Sequence, residues 1–403
     1  MKFLLIANND SDGVGQVAIN LSKNLNLLGH KSTTIVLNKT LKIKNLIKVK
    51  RSLPKRIIAH TLNYVKKDFK ELFGFGISTI NFSHLKKYIE DADVIIIYTF
   101  YKTLSNYQLE QILKYPKKIF LRPLDIEMAS GGCHFNMYCN KYQQDCDNCH
   151  KIKYPFNKLP KLNLLKKKKI INKYKPEVLV QNNYVKKLFD KSSIFKKIKK
   201  KVLYIGTNDT RAQLIHKSLA RKKLKLNQNE KIILFATFNL SSFIKGGHLL
   251  VKALEYLSKD MISKKENITL LTLGKKNQFF LKVKNIKWIH IETTKSNKQL
   301  NEIFRASDLM VCPSLFCFGP HIVEEAFLNK LPVVSFDGGS SQDFIVNGKN
   351  GYLVKKYNIK KFSEAIKKII SRKQFRFDEI LYKQIKENCN SKNEAKKLIN
   401  FCN

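Results

Sequence analysis

Short apolar runs, each bounded by stretches with helical spacing, recur through the sequence, and this alternation limits the fold more than any other feature. Lys2–Ala7, Ser32–Leu37, Asp93–Tyr98, Lys118–Arg122 and Glu177–Val180 read as strands, and Gly15–Leu28, with Val17, Leu21 and Leu25 on one face, reads as a helix. The pattern restarts after Asn208-Asp209. Lys231–Ala236, Ile268–Leu273, Leu309–Cys312 and Val333–Phe336 are strands there, with helices at Leu249–Leu257, Leu300–Ala306 and Ile322–Leu328. Strands apolar on both faces need cover on both sides, which intervening helices supply around a parallel sheet. The expected class is therefore α/β, with two Rossmann-like, doubly wound parallel-sheet domains facing across a cleft. The 403 residues suit two domains at about 100–200 residues each. The expected boundaries are 1–205, 206–380 and a terminal helical segment, 381–403, packing back on the N-terminal domain.

A formal net charge of +45 asks for an explanation. Arginine, the side chain best shaped for bidentate phosphate and base recognition, occurs only at positions 51, 56, 122, 211, 221, 305, 372 and 376, and lysine supplies the rest. Either a solvated lysine coat or an anion-binding surface accounts for that. With no arginine cluster and no recognisable reading module, a specific nucleic-acid partner is not expected. No apolar run approaches the roughly 18 residues of a membrane-spanning helix, and Met1–Ala7 reads as a buried strand rather than a signal sequence, so a cytoplasmic location is expected. Leu41–Lys67 mixes apolar side chains with Lys44, Lys48, Arg51, Lys55 and Arg56. It suits either an anionic membrane interface or a helix packed on its own domain.

Four of the eight cysteines fall close together, Cys133, Cys139, Cys146 and Cys149, with His134 and His150 beside them. One C-x2-C pair and two wider intervals are compatible with a structural zinc ion, with reduced buried thiols, or with disulfides, the last disfavoured in a reducing compartment. After the first strand, Gly13 and Gly15 let backbone approach a ligand and open a helix whose N-terminal amides favour anions, although a strand-to-helix turn needs glycine anyway. The third glycine of a dinucleotide fingerprint is missing, which argues against an ordinary NAD site.

The most informative stretch is VCPSLFCFGPHIVEEAFLNKLPVVSFDGGSSQDFIVNGKNGYLV, residues 311–354. The order and spacing of Pro313-Ser314, Glu325-Ala326, Pro332-Val333-Val334, Gly338-Gly339 and Asn347-Gly348-x-Asn350-Gly351 resemble the donor-binding signature of retaining glycosyltransferases of family 4, which have the GT-B fold. Lys245-Gly246, the Gly13–Gly15 turn and Ala306-Ser307-Asp308 extend the resemblance over most of the chain.

The resemblance implies a retaining, hexosyltransferase-like enzyme that moves a sugar from a nucleoside-diphosphate donor to a hydroxyl of a surface glycan or lipid-linked saccharide, as in lipopolysaccharide or capsule biosynthesis. It implies that Glu325 accepts hydrogen bonds from the ribose hydroxyls, that Lys245 offsets the diphosphate charge, and that backbone around Phe318, Gly319, Pro320 and His321 holds the same group. No cofactor is required for that chemistry. Two positions depart from the pattern: Cys317 stands where a carboxylate helps hold the donor sugar, and Asn239 stands where an arginine commonly assists the lysine. A sugar-nucleotide-binding protein without catalysis is therefore the competing reading, with a lysine-rich nucleic-acid binder more remote. Leu124–Phe135 resembles the acceptor-side loop of the polysaccharide-building branch, making Asp125 the candidate acceptor-activating or sugar-binding group. His134 is the alternative proton acceptor, and a loop aspartate also serves simply as a cap or turn former.

Overall fold

The computed structural model describes residues 1–68, 72–207, 215–261, 267–275, 280, 283–294, 296–319, 321–372 and 375–403. Asn208, Asp209 and Pro320 lie outside them. The chain divides into two units, one of Met1–Gly206 with Ser391–Asn403 and one of Thr207–Asn390.

The first unit is built on seven strands: β1 (Lys2–Ile6), β2 (Lys31–Val36), β3 (Leu46–Lys48), β4 (Val94–Ile97), β5 (Lys118–Leu121), β6 (Glu177–Val180) and β7 (Lys200–Val202). They lie in the order β3-β2-β1-β4-β5-β6-β7 with every pairing parallel. The central strand β4 is Val-Ile-Ile-Ile and buried throughout, the signature of a strand covered on both faces. Helix Gly13–Leu27 presents Val17, Leu21 and Leu25 to this sheet, and helix Ser391–Cys402 adds Ala395 and Leu398 to the same core. Helix Glu379–Asn388, in contrast, belongs to the second unit.

That terminal helix is held by charge as well as by packing. Arg122, just past β5, is fully buried and its Nη2 bonds Glu394 Oε1, while Glu394 Oε2 accepts from Gly206 N at 2.7 Å. Arg122 Nε and Nη1 have no hydrogen-bond partner, and its guanidinium lies 6.0 Å from the Tyr98 ring centroid.

The second unit carries β8 (Lys231–Asn239), β9 (Ile268–Lys275), β10 (Lys287–Ile291), β11 (Leu309–Cys312), β12 (Val333–Phe336) and β13 (Gly351–Val354), all parallel, in the order β10-β9-β8-β11-β12-β13. In each sheet the order reverses once, between β1 and β4 and between β8 and β11. Loops leaving the carboxyl ends of strands at such a reversal diverge and leave a crevice, the usual ligand position in open α/β sheets.

Leu41–Lys67 is not one amphipathic helix. It contains β3 and a short helix, Leu53–Thr61, none of whose residues is buried. No helix among the described residues is long and apolar enough to cross a membrane.

Candidate active site

In the second unit, the loops after β8 and β11 are locked together by backbone. β8 ends at Asn239, whose Oδ1 accepts from Ser241 N at 3.0 Å, so its side-chain carbonyl shapes the turn and its NH2 remains as the donor. A single 3-10 turn, Phe243–Lys245, follows, and Gly246 ends it with φ +71°. A Cβ at Gly246 would stand 1.9 Å from the Pro313 carbonyl oxygen, so both the dihedral and the close approach demand glycine. Leu315 N then donates to Ile244 O at 2.8 Å. Lys245 and the 313–319 loop are thus one backbone-bonded assembly.

Cys317 is buried within it. Burial pushes its thiol up to about 11, against the pull of the Lys245 charge, so the side chain is a neutral thiol within electrostatic reach of that lysine. The Cys317 carbonyl oxygen accepts from Ser340 N at 2.8 Å and Ser340 Oγ at 3.0 Å, and a Cβ on Gly339 would lie 2.3 Å from it. The Gly338-Gly339 pair therefore allows the turn after β12 to close on the loop. Phe318 is buried beside Cys317, and Gly319 leads to helix His321–Leu328.

That helix brings two adjacent carboxylates inward, Glu324 and Glu325, exposed by only 3% and 4%. Glu325 is the candidate that the sequence marked. Glu324 was not anticipated: its Oε2 lies 3.5 Å from His321 Nδ1, and its charge opposes ionisation of Cys317. A carboxylate therefore exists near the departed one, one turn into the helix. Its sequence signal was the first glutamate of the Glu324-Glu325 pair.

In the first unit, a cavity of about 470 Å³ opens at the β1/β4 reversal, lined by Asp12, Tyr98, Tyr101, Leu124, Asp125 and His134 among others. Val14 lines it too, between Gly13 and Gly15. Gly15 is required by packing, since its Cβ would fall 1.6 Å from Asn9 O, whereas Gly13 has open space around it. Asp12 caps the helix, its Oδ1 accepting from Gly15 N at 2.8 Å.

Asp125 and His134, alternatives in the sequence, form one pair here. Asp125 Oδ1 accepts from Glu127 N at 2.8 Å, making the turn, and Asp125 Oδ2 lies 2.7 Å from His134 Nδ1. Tyr101 meets the imidazole edge-on with centroids 5.0 Å apart. His134 Nε2 has no hydrogen-bond partner. Burial alone would lower the imidazole pKa, but the Asp125 carboxylate outweighs it with help from Glu127, and the net shift is upward.

Beneath the loop lies a second buried pair that sequence reasoning missed. Lys167 Nζ donates to Glu127 O at 2.7 Å and stands 3.9 Å from Glu127 Oε1, while Glu127 Oε2 accepts from Phe100 N at 3.1 Å. Lys167 comes from a block of four lysines that reads as a solvated face.

Cys133, Cys139, Cys146 and Cys149 line one small cavity nearby, and none of the four is in a disulfide. Burial raises Cys133 to about 11 and Cys146 to about 12, and Gly131 N donates to Cys146 Sγ at 3.3 Å. Among the described residues, no three His, Cys, Asp or Glu side chains are arranged to hold a metal ion.

Residues 216–391 match the family model Glycosyl transferases group 1. No curated protein matches the chain by sequence. Among solved structures, a glycosyltransferase from Rickettsia africae ESF-5 is 17% identical with a TM-score of 0.65, covering 100% of this chain and 97% of that one. WaaG, a glycosyltransferase involved in lipopolysaccharide biosynthesis, is 12% identical with a TM-score of 0.66 and 99% coverage of both chains. Anabaena Alr3699/HepE in complex with UDP-glucose is 14% identical with a TM-score of 0.64, covering 100% of this chain and 99% of that one. These likenesses show the GT-B fold, and the family match falls within the second unit but for its last residue.

Proposed function

Starting from a group 1 glycosyltransferase domain on a GT-B fold, we propose that the protein transfers a sugar, with retention of configuration, from a nucleoside-diphosphate donor to a hydroxyl of a surface glycan or lipid-linked saccharide. The observation that supports this reading is the assembly after β8 and β11, where backbone ties the turn bearing Lys245 to the 313–319 loop that leads into the helix carrying the buried Glu325. Anabaena HepE, a neighbour in fold, binds UDP and UDP-glucose.

Each role follows from the chemistry of its group. Glu325 offers two acceptor oxygens to vicinal ribose hydroxyls. Lys245 offsets the diphosphate and stabilises the negative charge that grows on it as the bond to the sugar breaks. The amides at the start of helix His321–Leu328 assist, since unpaired N–H groups and the helix dipole favour an anion there. A neutral thiol at Cys317 is a poor acceptor, and Glu324 supplies the nearest carboxylate for the sugar hydroxyls. On the acceptor side, Asp125 holds the His134 ring so that Nε2 accepts a hydrogen bond from the incoming hydroxyl. As the sugar–phosphate bond breaks, the hydroxyl oxygen bonds to the sugar carbon on the same face, its proton passes to His134 Nε2, and the phosphate leaves with the bonding electron pair, its charge offset by Lys245. A cytoplasmic location beside a membrane suits such an acceptor.

The test is a panel of nucleotide sugars scored for thermal stabilisation and then for product, because a ligand that binds only the folded state raises its stability. At least one donor should stabilise the wild type, and Glu325→Gln should weaken it by about 1–3 kcal/mol. Binding without turnover for every acceptor tried would favour the non-catalytic reading. Glu325→Gln with unchanged donor affinity in calorimetry would remove the ribose assignment.

A further inference from the structure

Beside the Asp125–His134 cavity lies a second one of about 350 Å³, lined by Arg51, Arg56, His60, Asn63, Thr79 and Lys102 together with Leu53 and Ile57. Among the described residues no carboxylate lines it. Arg51 Nε donates to Thr79 Oγ1 at 3.2 Å and its Nη1 to Asn38 Oδ1 at 3.4 Å, both neutral acceptors. Among the described residues neither Arg56 nor Lys102 is paired with a carboxylate, and Lys102 lies 4.9 Å over the Tyr101 ring. In a chain with only eight arginines, two converge here with no counterion among the described residues, and burial together with the nearby Arg56 charge disfavours the charge on Arg51. Uncompensated guanidiniums around a concave space are an anion site in want of its anion.

What sits on the rim narrows the ligand. Helix Leu53–Thr61 buries nothing, and its Leu53, Ile57 and Ile58 are 64%, 57% and 49% exposed. A free inorganic anion has no use for such a ridge, whereas a molecule with a phosphate head and a hydrocarbon chain fits both parts. Arg51 and Lys102 also line the Asp125–His134 cavity, so the two spaces share a wall.

We infer that this cavity binds the phosphate or diphosphate of a lipid that carries the acceptor, with the chain lying along Leu53, Ile57 and Ile58 and the attached saccharide reaching Asp125 and His134. The inference rests on the acceptor-side reading above. It deepens that reading by naming the anchor group and its site.

Calorimetry on the full chain tests it with three probes: farnesyl diphosphate, inorganic diphosphate and farnesol. Farnesyl diphosphate should bind at least tenfold more tightly than either of the others. Arg51→Ala with Arg56→Ala should cost at least tenfold for both diphosphates, while Leu53→Ser with Ile57→Ser should remove only the advantage of the lipid form. Lys367→Ala with Lys368→Ala, the same charge loss in the second unit, should change nothing. Equal affinity for inorganic and farnesyl diphosphate would overturn the lipid assignment, and equal losses in the arginine and lysine pairs would reduce the site to general charge attraction. Nucleotide-sugar binding by the arginine variant should match wild type, so failure here is separable from failure of the donor reading.

Discussion

Replacing Glu394 by alanine removes the partner of a fully buried guanidinium. Arg122 already leaves Nε and Nη1 without hydrogen bonds, so no alternative acceptor stands ready, and Gly206 N loses its acceptor in the same stroke. Breaking one side of a buried ion pair costs about 3–5 kcal/mol, because the remaining charge stays desolvated. For a unit of this size, about 2–4 °C of midpoint per kcal/mol, the expected fall is roughly 6–20 °C. The assay separates the units: Trp288, the chain's one tryptophan, lies in the second unit, so its fluorescence follows that unit while far-ultraviolet circular dichroism follows both. The dichroism transition of the first unit should move down and the tryptophan transition should hold. Arg122→Met with Glu394→Leu should recover most of the loss, since an apolar pair of similar volume carries no stranded charge. A loss below about 1 kcal/mol for Glu394→Ala would refute the reasoning, because it would mean that Arg122 reaches water or another acceptor once the carboxylate is gone.

Other outcomes follow from the sites. Since His134 must be neutral to accept at Nε2, and its pKa is raised, acceptor KM should worsen as pH falls through that raised value; Asp125→Asn should move the midpoint down, and an unmoved profile would separate His134 from the step. Cys317→Ala should cost less than about tenfold in turnover, roughly 1.4 kcal/mol, because a neutral thiol contributes little to a sugar site; abolished turnover with nucleotide binding intact would give the thiol a specific role. For the four-cysteine loop we propose that supplied zinc draws the thiols together, so that chain prepared without chelators carries about one zinc, lost with Cys146→Ser and Cys149→Ser. Because burial keeps Cys133 and Cys146 protonated, uptake should strengthen with rising pH, and metal-free protein at pH about 8 would leave the cluster as buried thiols.

Strands buried on both faces were readable because their chemistry is uniform: Val94–Ile97 and Leu309–Cys312 admit no polar side chain. The edge strands were not. β3 is Leu-Ile-Lys, β7 is Lys-Lys-Val and β10 begins with an exposed lysine, so each resembles the surrounding lysine-rich surface. Motif spacing marked Glu325 and Lys245 as candidates, because both lie on short local segments, the Lys245 turn and the helix that follows the 313–319 loop. Pairings between distant segments left no such trace: Lys167 meets Glu127 across 40 residues, and one inward lysine among four looks like its neighbours. Asp125 and His134 were each visible, but their hydrogen bond belongs to the loop's path and not to its spelling.

The return of helix Ser391–Cys402 to the first unit also governs how the protein is made. Arg122 precedes Glu394 by 272 positions, so a growing chain holds the β5 end of its first sheet without its counterion while the whole second unit is synthesised. At about 5–20 residues per second that interval is roughly 15–50 s. Residues 207–390 can close around their own core in that time, leaving the earlier-made unit the later one to finish, exposed to chaperones and proteases until Glu394 clears the ribosome.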